Sequence, residues 1–172
     1  MEIRRPAAGD VDALLEFFAR IPAAERTFFK EAVLDRATVE SWSGGARGLA
    51  CEAGEVVGYV AVVPLSGWSD HVGEVRLVVD PAHRGRGLGR ALARWALMRG
   101  LELGLGKLFV EVVADQDGAI AMFGALGFQA EGLLRDHVRD RDGELRDLVL
   151  LAHSIADQWA SMASAGIEDA AG

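Results

Sequence analysis

The residues best suited to chemistry sit in one short run, Arg84-Gly85-Arg86-Gly87-Leu88-Gly89. Glycines at alternate positions let a backbone turn reach positive φ and come close to a ligand. The apolar spacing that follows, Leu88, Leu92, Trp95 and Ala96, predicts a helix over 88–103. The first turn of such a helix offers N–H groups with no partner inside the helix, and a partial positive charge. With Arg84, Arg86 and Arg90 beside it, the run is suited to holding a phosphate group. The whole chain has 18 Lys+Arg against 26 Asp+Glu, a net charge of -8, so four arginines within 84–94 reverse its character locally.

Two familiar phosphate loops do not fit. No Gly-Lys-Ser/Thr follows the glycines, so this is not a nucleoside-triphosphate loop. The glycines fall at 85, 87 and 89, and the run does not follow the first strand of a βαβ unit, so a dinucleotide fingerprint is not matched. A solvated basic turn would account for the same residues, and the run alone does not decide between the two.

The elements around it narrow the choice. Residues 2–5 can open a sheet, and Asp10 is placed to cap a helix bearing Val11, Leu14, Leu15 and Phe18. Helical spacing of Phe29, Val33 and Ala37 predicts a helix over 27–42. Residues 49–53 and 56–63 read as strands around Ala53-Gly54-Glu55, and 65–71 as a loop. A strand over 74–79 stops at Asp80-Pro81 and feeds the glycine run. Then come a strand over 108–113 and a short helix with Ala119, Met122, Phe123 and Leu126 on one side, closed by Gly127. Strands over 128–139 and 145–151 flank Asp142-Gly143, a hairpin turn. A last helix is expected over 154–164 and a frayed tail over 165–172. This is an α/β (α+β layered) chain, a mixed sheet flanked by helices, expected as one domain over 1–172. Apolar runs at 77–79 and 108–110 lack alternation, as central strands do.

The stretch Leu77-Val78-Val79-Asp80-Pro81-Ala82-His83 followed by Arg84 to Gly89 resembles the central signature of the GNAT superfamily of CoA-dependent N-acyltransferases. A second feature of that family, a strand and short helix ending in Leu-Gly-Phe, is matched by Glu111-Val112-Val113 through Phe123 to Leu126-Gly127-Phe128. The resemblance extends from Ile3 to about Leu151. It implies a splayed sheet with acetyl-CoA between the strands at 74–79 and 108–113. The backbone of Leu77, Val78 and Val79 would pair with the pantetheine amides, and the amides of 84–89 would hold the pyrophosphate. A backbone N–H near Val79 would polarise the acyl carbonyl. Gln116 stands where the family often has Asn, and Phe123 where it often has a Tyr that protonates the leaving thiolate.

The implied reaction is direct acetyl transfer to a primary amine, and the amine needs a base. Glu74 is the first candidate and Glu111 the second; His83 belongs to the loop. Asp70, His71, Asp136, His137 and Asp140 are placed to border an acceptor cleft. The acceptor is unspecified, a small molecule or a protein. A CoA-binding regulatory module without chemistry is the alternative, which Phe123 favours, and an acidic interaction domain without CoA is a third reading.

The remaining composition sets bounds. The acidic charge argues against nucleic acid or an anionic membrane as partner. No long uncharged stretch and no apolar leader are present, so a cytoplasmic protein is expected. Cys51, the single cysteine, reads as a buried structural thiol, and no Cys/His cluster has metal-ligand spacing. Dimers are common in the family, so a homodimer is also expected as an option.

Overall fold

A computed structural model describes residues 2–42 and 46–155. Its sheet has seven strands: β1 (Glu2–Arg4), β2 (Arg47–Glu52), β3 (Glu55–Pro64), β4 (Val72–Val79), β5 (Lys107–Val113), β6 (Gln129–Arg139) and β7 (Leu145–Ser154). The strand order is β1-β2-β3-β4-β5-β7-β6. Every neighbouring pair is antiparallel except β4 and β5, which run parallel. The helices are α1 (Val11–Arg20), α2 (Ala23–Arg26), α3 (Arg36–Glu40), α4 (Leu88–Glu102) and α5 (Asp117–Gly124).

Each face of the sheet has its own core. On β3, Val57, Val60 and Val62 join the core under α4, while Val56, Tyr59 and Ala61 join the core under α1 and α3. The strand has no polar alternation because both of its faces are covered; its side chains go to opposite sides in turn from Gly58 onward, after a bulge at Val57 shifts the register against β2. α4 lies very close to the sheet: a Cβ built on Gly58 would meet Leu92 Cδ1 at 2.8 Å. Further along, a Cβ on Gly100 would meet Leu108 Cδ1 at 2.9 Å. These two glycines set how near the helix can approach, and hence where its N-terminus points.

Several expectations need correction. The helix expected over 27–42 does not form. α2 ends at Arg26, residues 27–35 make turns, and a separate short helix starts where the Asp35 carboxylate accepts from Thr38 N at 2.8 Å. Tertiary contacts override the local period: Phe29 packs edge-on against Phe18 at 5.8 Å, and Lys30 and Glu31 enter ion pairs with the sheet. Asp10 precedes α1 but does not cap it. Its carboxylate takes Ala7 N at 2.6 Å and Arg4 at 2.7 Å instead. Cys51 is half-buried rather than enclosed. β7 runs on to Ser154, where a helix was expected to begin; Ile155 is helical, and residues 156–172 of that expected helix and tail lie outside the described residues.

Candidate active site

The glycine run is held by a buried carboxylate. Asp80 Oδ1 accepts from Ala82 N at 2.9 Å, and its Oδ2 accepts from Arg20 Nε at 2.9 Å. Arg20 also donates to the Val56 carbonyl at 2.7 Å, tying the strand end to α1 and β3. Gly85 and Gly87 then take φ +73° and +81°. A Cβ on either would meet nothing within 4 Å, so conformation and not crowding calls for glycine here, and the turn faces open space. Gly87 is the N-cap of α4. At Gly89 a Cβ would lie 3.0 Å from Met122 Sδ, so α5 abuts the turn.

The arginines divide. Arg84 Nε donates to the Val79 carbonyl at 3.2 Å and its guanidinium pairs with Glu25, so it ties the turn down. Arg86 is exposed, 3.3 Å from Glu52. Arg90 is exposed on the first turn of α4, with no ion pair among the described residues. Leu88 is buried.

Beside the turn the sheet parts. β4 and β5 pair only at Val72↔Lys107, Gly73↔Leu108 and Glu74↔Phe109. Beyond that, β4 follows β3 as far as Val79 and β5 follows β7 as far as Val113. The gap opens a cleft of about 430 Å³, lined by Leu77, Val78, residues 110–113, Gln116 and Phe123, with Phe28 to Glu31 over it. Gln116 is exposed at the N-cap of α5. Phe123 is buried edge-on against Phe128, with ring centroids 5.1 Å apart. Val79 ends the β3 ladder opposite Gly58 and is not among the cleft-lining residues.

A chain of ions crosses this cleft. Glu74, Arg76 and Glu111 share the face covered by residues 27–35. Glu74 is 6% exposed, and its two carboxylate oxygens meet Lys30 Nζ at 2.7 Å and Arg76 at 2.9 Å. Lys30 Nζ also lies 2.8 Å from Glu111 Oε2. Arg76 continues to Glu31 at 3.1 Å, and Glu31 to Arg47 at 3.0 Å. Arg47 ends the chain on the Tyr59 hydroxyl at 2.5 Å and over the Trp42 ring at 4.6 Å. Burial pushes the Glu74 carboxyl up, but the hydrogen bonds from Arg76 and Lys30 outweigh it and hold Glu74 below the usual carboxylate range. Burial likewise depresses Lys30, and its bonds to Glu111 and Glu74 outweigh that and keep it charged.

Asp80 has the same sign as Glu74: burial raises it, and Arg20 and the Ala82 amide bring it below the usual value. Groups with lowered folded pKa values stabilise the fold above the unfolded value, roughly 4, and lose that contribution as pH falls through the folded value. The melting temperature is therefore expected to be level near neutrality and to drop below about pH 4. Asp80→Asn is expected to show a shallower acid drop in the same series; an identical pH profile would remove Asp80 from this account.

The structure thus brings Glu74 and Glu111 together, as the base candidates require, but Glu74 is already paired on both oxygens. Lys30 was not anticipated, because its position depends on the fold of residues 27–35. Of the hairpin residues expected at the cleft, Asp136 and His137 do not line it; their neighbours Val138 and Arg139 do. Asp140 lines a smaller neighbouring hollow. Asp70 and His71 sit at the other end of β4, where the His71 carbonyl accepts from Gly106 N at 2.8 Å. His83 lies 3.8 Å from Asp80 in the turn, a loop position as expected. Among the described residues no group of His, Cys, Asp or Glu is arranged to hold a metal ion, and no helix is long and apolar enough to cross a membrane.

Fold and turn define the class: an α/β protein whose mixed sheet parts between its parallel strands beside a phosphate-type turn. The profile of the Acetyltransferase (GNAT) family matches residues 12–128, and the chain belongs to that family. It is 39% identical over 89 residues to N-alpha-acetyltransferase RimI of Mycobacterium tuberculosis, covering 50% of this chain and 53% of that one. It spans about half the length of the curated relatives it matches. The ribosomal-protein-alanine N-acetyltransferase from Brucella melitensis shares the fold with a TM-score of 0.77 at 22% identity, over 90% of this chain and 99% of that chain. So does a GNAT superfamily phosphinothricin acetyltransferase from Sinorhizobium meliloti in complex with AcCoA, with a TM-score of 0.75 at 20% identity, over 89% of this chain and 87% of that chain.

Proposed function

We propose that the protein is an N-acetyltransferase that moves an acetyl group from acetyl-CoA directly onto a primary amine. The observation that carries this reading is the parting of β4 from β5 beside an open, left-handed glycine turn. The gap has strand backbone along one side and unobstructed turn amides at one end, which fits an extended arm ending in phosphates. Bound acetyl-CoA would supply a thioester ready for acyl transfer. The amides of 85–89 with Arg86 and Arg90 would hold the pyrophosphate, while Arg84 keeps the turn in shape. The backbone of Leu77, Val78 and Val79 would take the pantetheine arm, with Gln116 and Phe123 along it, and a backbone N–H near Val79 would face the acyl oxygen.

The acceptor must lose a proton before it attacks. Of the cleft carboxylates, Glu31 and Glu74 each meet two cations, while Glu111 meets Lys30 alone among the described residues and is the freer to take it. The acceptor class stays at a primary amine; relatives named for protein α-amines lend support to a peptide terminus. Saturating CoA is expected to raise the melting temperature, since a ligand at 100 times its Kd adds about 2.7 kcal/mol. An unchanged melting temperature sinks the reading. Thiol release from acetyl-CoA with a panel of amines separates the enzyme from a CoA-binding module, which would bind without release.

Phe123 cannot donate a proton, yet a thiolate whose acid has a pKa near 8.5 leaves readily at neutral pH. Phe123→Tyr is therefore expected to change turnover by less than about tenfold. A gain of a hundredfold or more in the same thiol-release assay would show that the missing hydroxyl limits the chain and would favour the regulatory module.

A further inference from the structure

The cleft that would receive the acceptor contains a primary ammonium of the chain's own. Lys30 Nζ sits between Glu74 Oε1 at 2.7 Å and Glu111 Oε2 at 2.8 Å, bridging the two strands where they part. The same cleft is lined by Leu77, Val78 and Phe123, so the ammonium lies in the space the reaction would use. Lys30 and Lys107 are the only two lysines in the chain, and every other cation of this ion chain is an arginine.

We propose that Lys30 is an internal competitor of the acceptor: its ammonium occupies the Glu74–Glu111 pair in the acceptor-free protein and swings out when a primary ammonium on an otherwise uncharged chain takes its place. This rests on the acetyltransferase reading for its purpose, but not for its geometry.

Charge selects the ligand. At the exchange point Glu74 and Glu111 face Lys30 and Arg76, two charges of each sign, which balance. With Lys30 turned out to solvent the site is short by one positive charge, so it accepts a monocation and disfavours a carboxylate-bearing amine. Shape agrees with charge. Phe28, Phe29, Val110 and Val112 make the cleft mostly apolar around the carboxylates, which suits a neutral stem ending in an ammonium.

The exchange needs no backbone movement. Phe29 is packed on Phe18, and Val33 is buried in the core, so the segment is anchored on both sides of Lys30. The Lys30 side chain is 43% exposed, so its stem already borders water and rotation frees the ammonium. The exchange replaces one charge-assisted contact with an equivalent one, so neither carboxylate is left unpaired.

The test uses n-butylammonium as the probe, 1-butanol as the uncharged control, and no acetyl-CoA. In the wild-type chain labelled with ¹³Cε-lysine, two signals are expected. Adding n-butylammonium is expected to move the Lys30 signal to the position of free lysine and to leave Lys107 in place, while 1-butanol moves neither. A Lys30 signal that stays put at probe concentrations saturating the protein, or no binding at all, overturns the proposal. By calorimetry, Lys30→Met is expected to bind n-butylammonium at least tenfold more tightly than wild type, and Lys30→Arg to bind it no more tightly; equal affinity for Lys30→Met and wild type overturns it. Should Lys30→Met fold poorly, the wild-type signal still decides. A failed CoA thermal shift with intact ammonium exchange would reject the acetyltransferase reading alone, and the reverse pattern would reject only the competitor.

Discussion

Gly87→Val is expected to weaken CoA binding by about a thousandfold while leaving the fold intact. Gly87 holds φ +81° at the N-cap of α4, a left-handed conformation that a side chain disfavours by roughly 1–2 kcal/mol and a β-branched one by more. The backbone would escape by turning its peptide units, which redirects the amides that open the helix. Each hydrogen bond from such an amide to a charged oxygen is worth about 1.5–3 kcal/mol, so losing two costs on the order of 4 kcal/mol, or about a thousandfold in Kd. The loss of stability should stay near that backbone strain of about 1–2 kcal/mol or somewhat more, because a Cβ at this position meets nothing within 4 Å and adds no clash. Gly87→Asn should lose tenfold or less, since asparagine tolerates the left-handed region. Calorimetry with CoA checks both; a Gly87→Val chain binding within threefold of wild type would mean that the turn does not hold the phosphates.

The second large effect concerns the helix that aims that turn. Leu92 is fully buried on the sheet-facing side of α4, against the spot where Gly58 lacks a side chain. Leu92→Ala removes this contact and is expected to cost about 3 kcal/mol, lowering the melting temperature by about 6–12 °C for a chain of this size. Gly58→Ala presses a methyl group toward Leu92 and should cost about 1–3 kcal/mol through overpacking. The two changes meet at one spot, so the double variant should be more stable than the sum of the single losses implies. Strict additivity in thermal or denaturant melts would show that Gly58 and Leu92 do not share this packing. Loosening α4 also moves the origin of the turn, so CoA affinity should fall along with stability in Leu92→Ala.

How much of this was readable beforehand depends on the range of the interactions involved. The strand into Asp80-Pro81, the glycine turn and α4 follow from neighbours in sequence: proline and aspartate stop a strand, glycines permit positive φ, and leucines at helical spacing bury one stripe. Family membership followed from the same stretch together with Leu126-Gly127-Phe128, and the profile match over 12–128 agrees with it. The parting of β4 from β5 was expected only through the resemblance. No local pattern in residues 74–79 or 107–113 says that their pairing stops after three residues.

Residues 27–35 show where local reasoning fails. Phe29, Val33 and Ala37 have helical spacing, yet the segment turns because Phe29 finds Phe18 and because Lys30 and Glu31 find charges on β4, β5 and β2. Those partners are up to about eighty residues away along the chain, and contacts of this kind can outweigh helix preferences of a few tenths of a kcal/mol per residue. Arg84 carries a similar lesson. Its place in the motif suggested a phosphate contact, while its hydrogen bond to the Val79 carbonyl makes it a brace for the turn.

By itself, then, the sequence determined the class of fold, the glycine turn at the head of α4 and the family, because each rests on patterns only a few residues long. The tertiary structure alone decided which arginines of the turn face open space, that Glu74 is paired on both oxygens, and that Lys30 stands between Glu74 and Glu111 at the mouth of the parted sheet. Charges separated by long stretches of chain acquire their partners only when the strands and the covering segment are assembled, and it is the balance of those charges that sets what the cleft can bind.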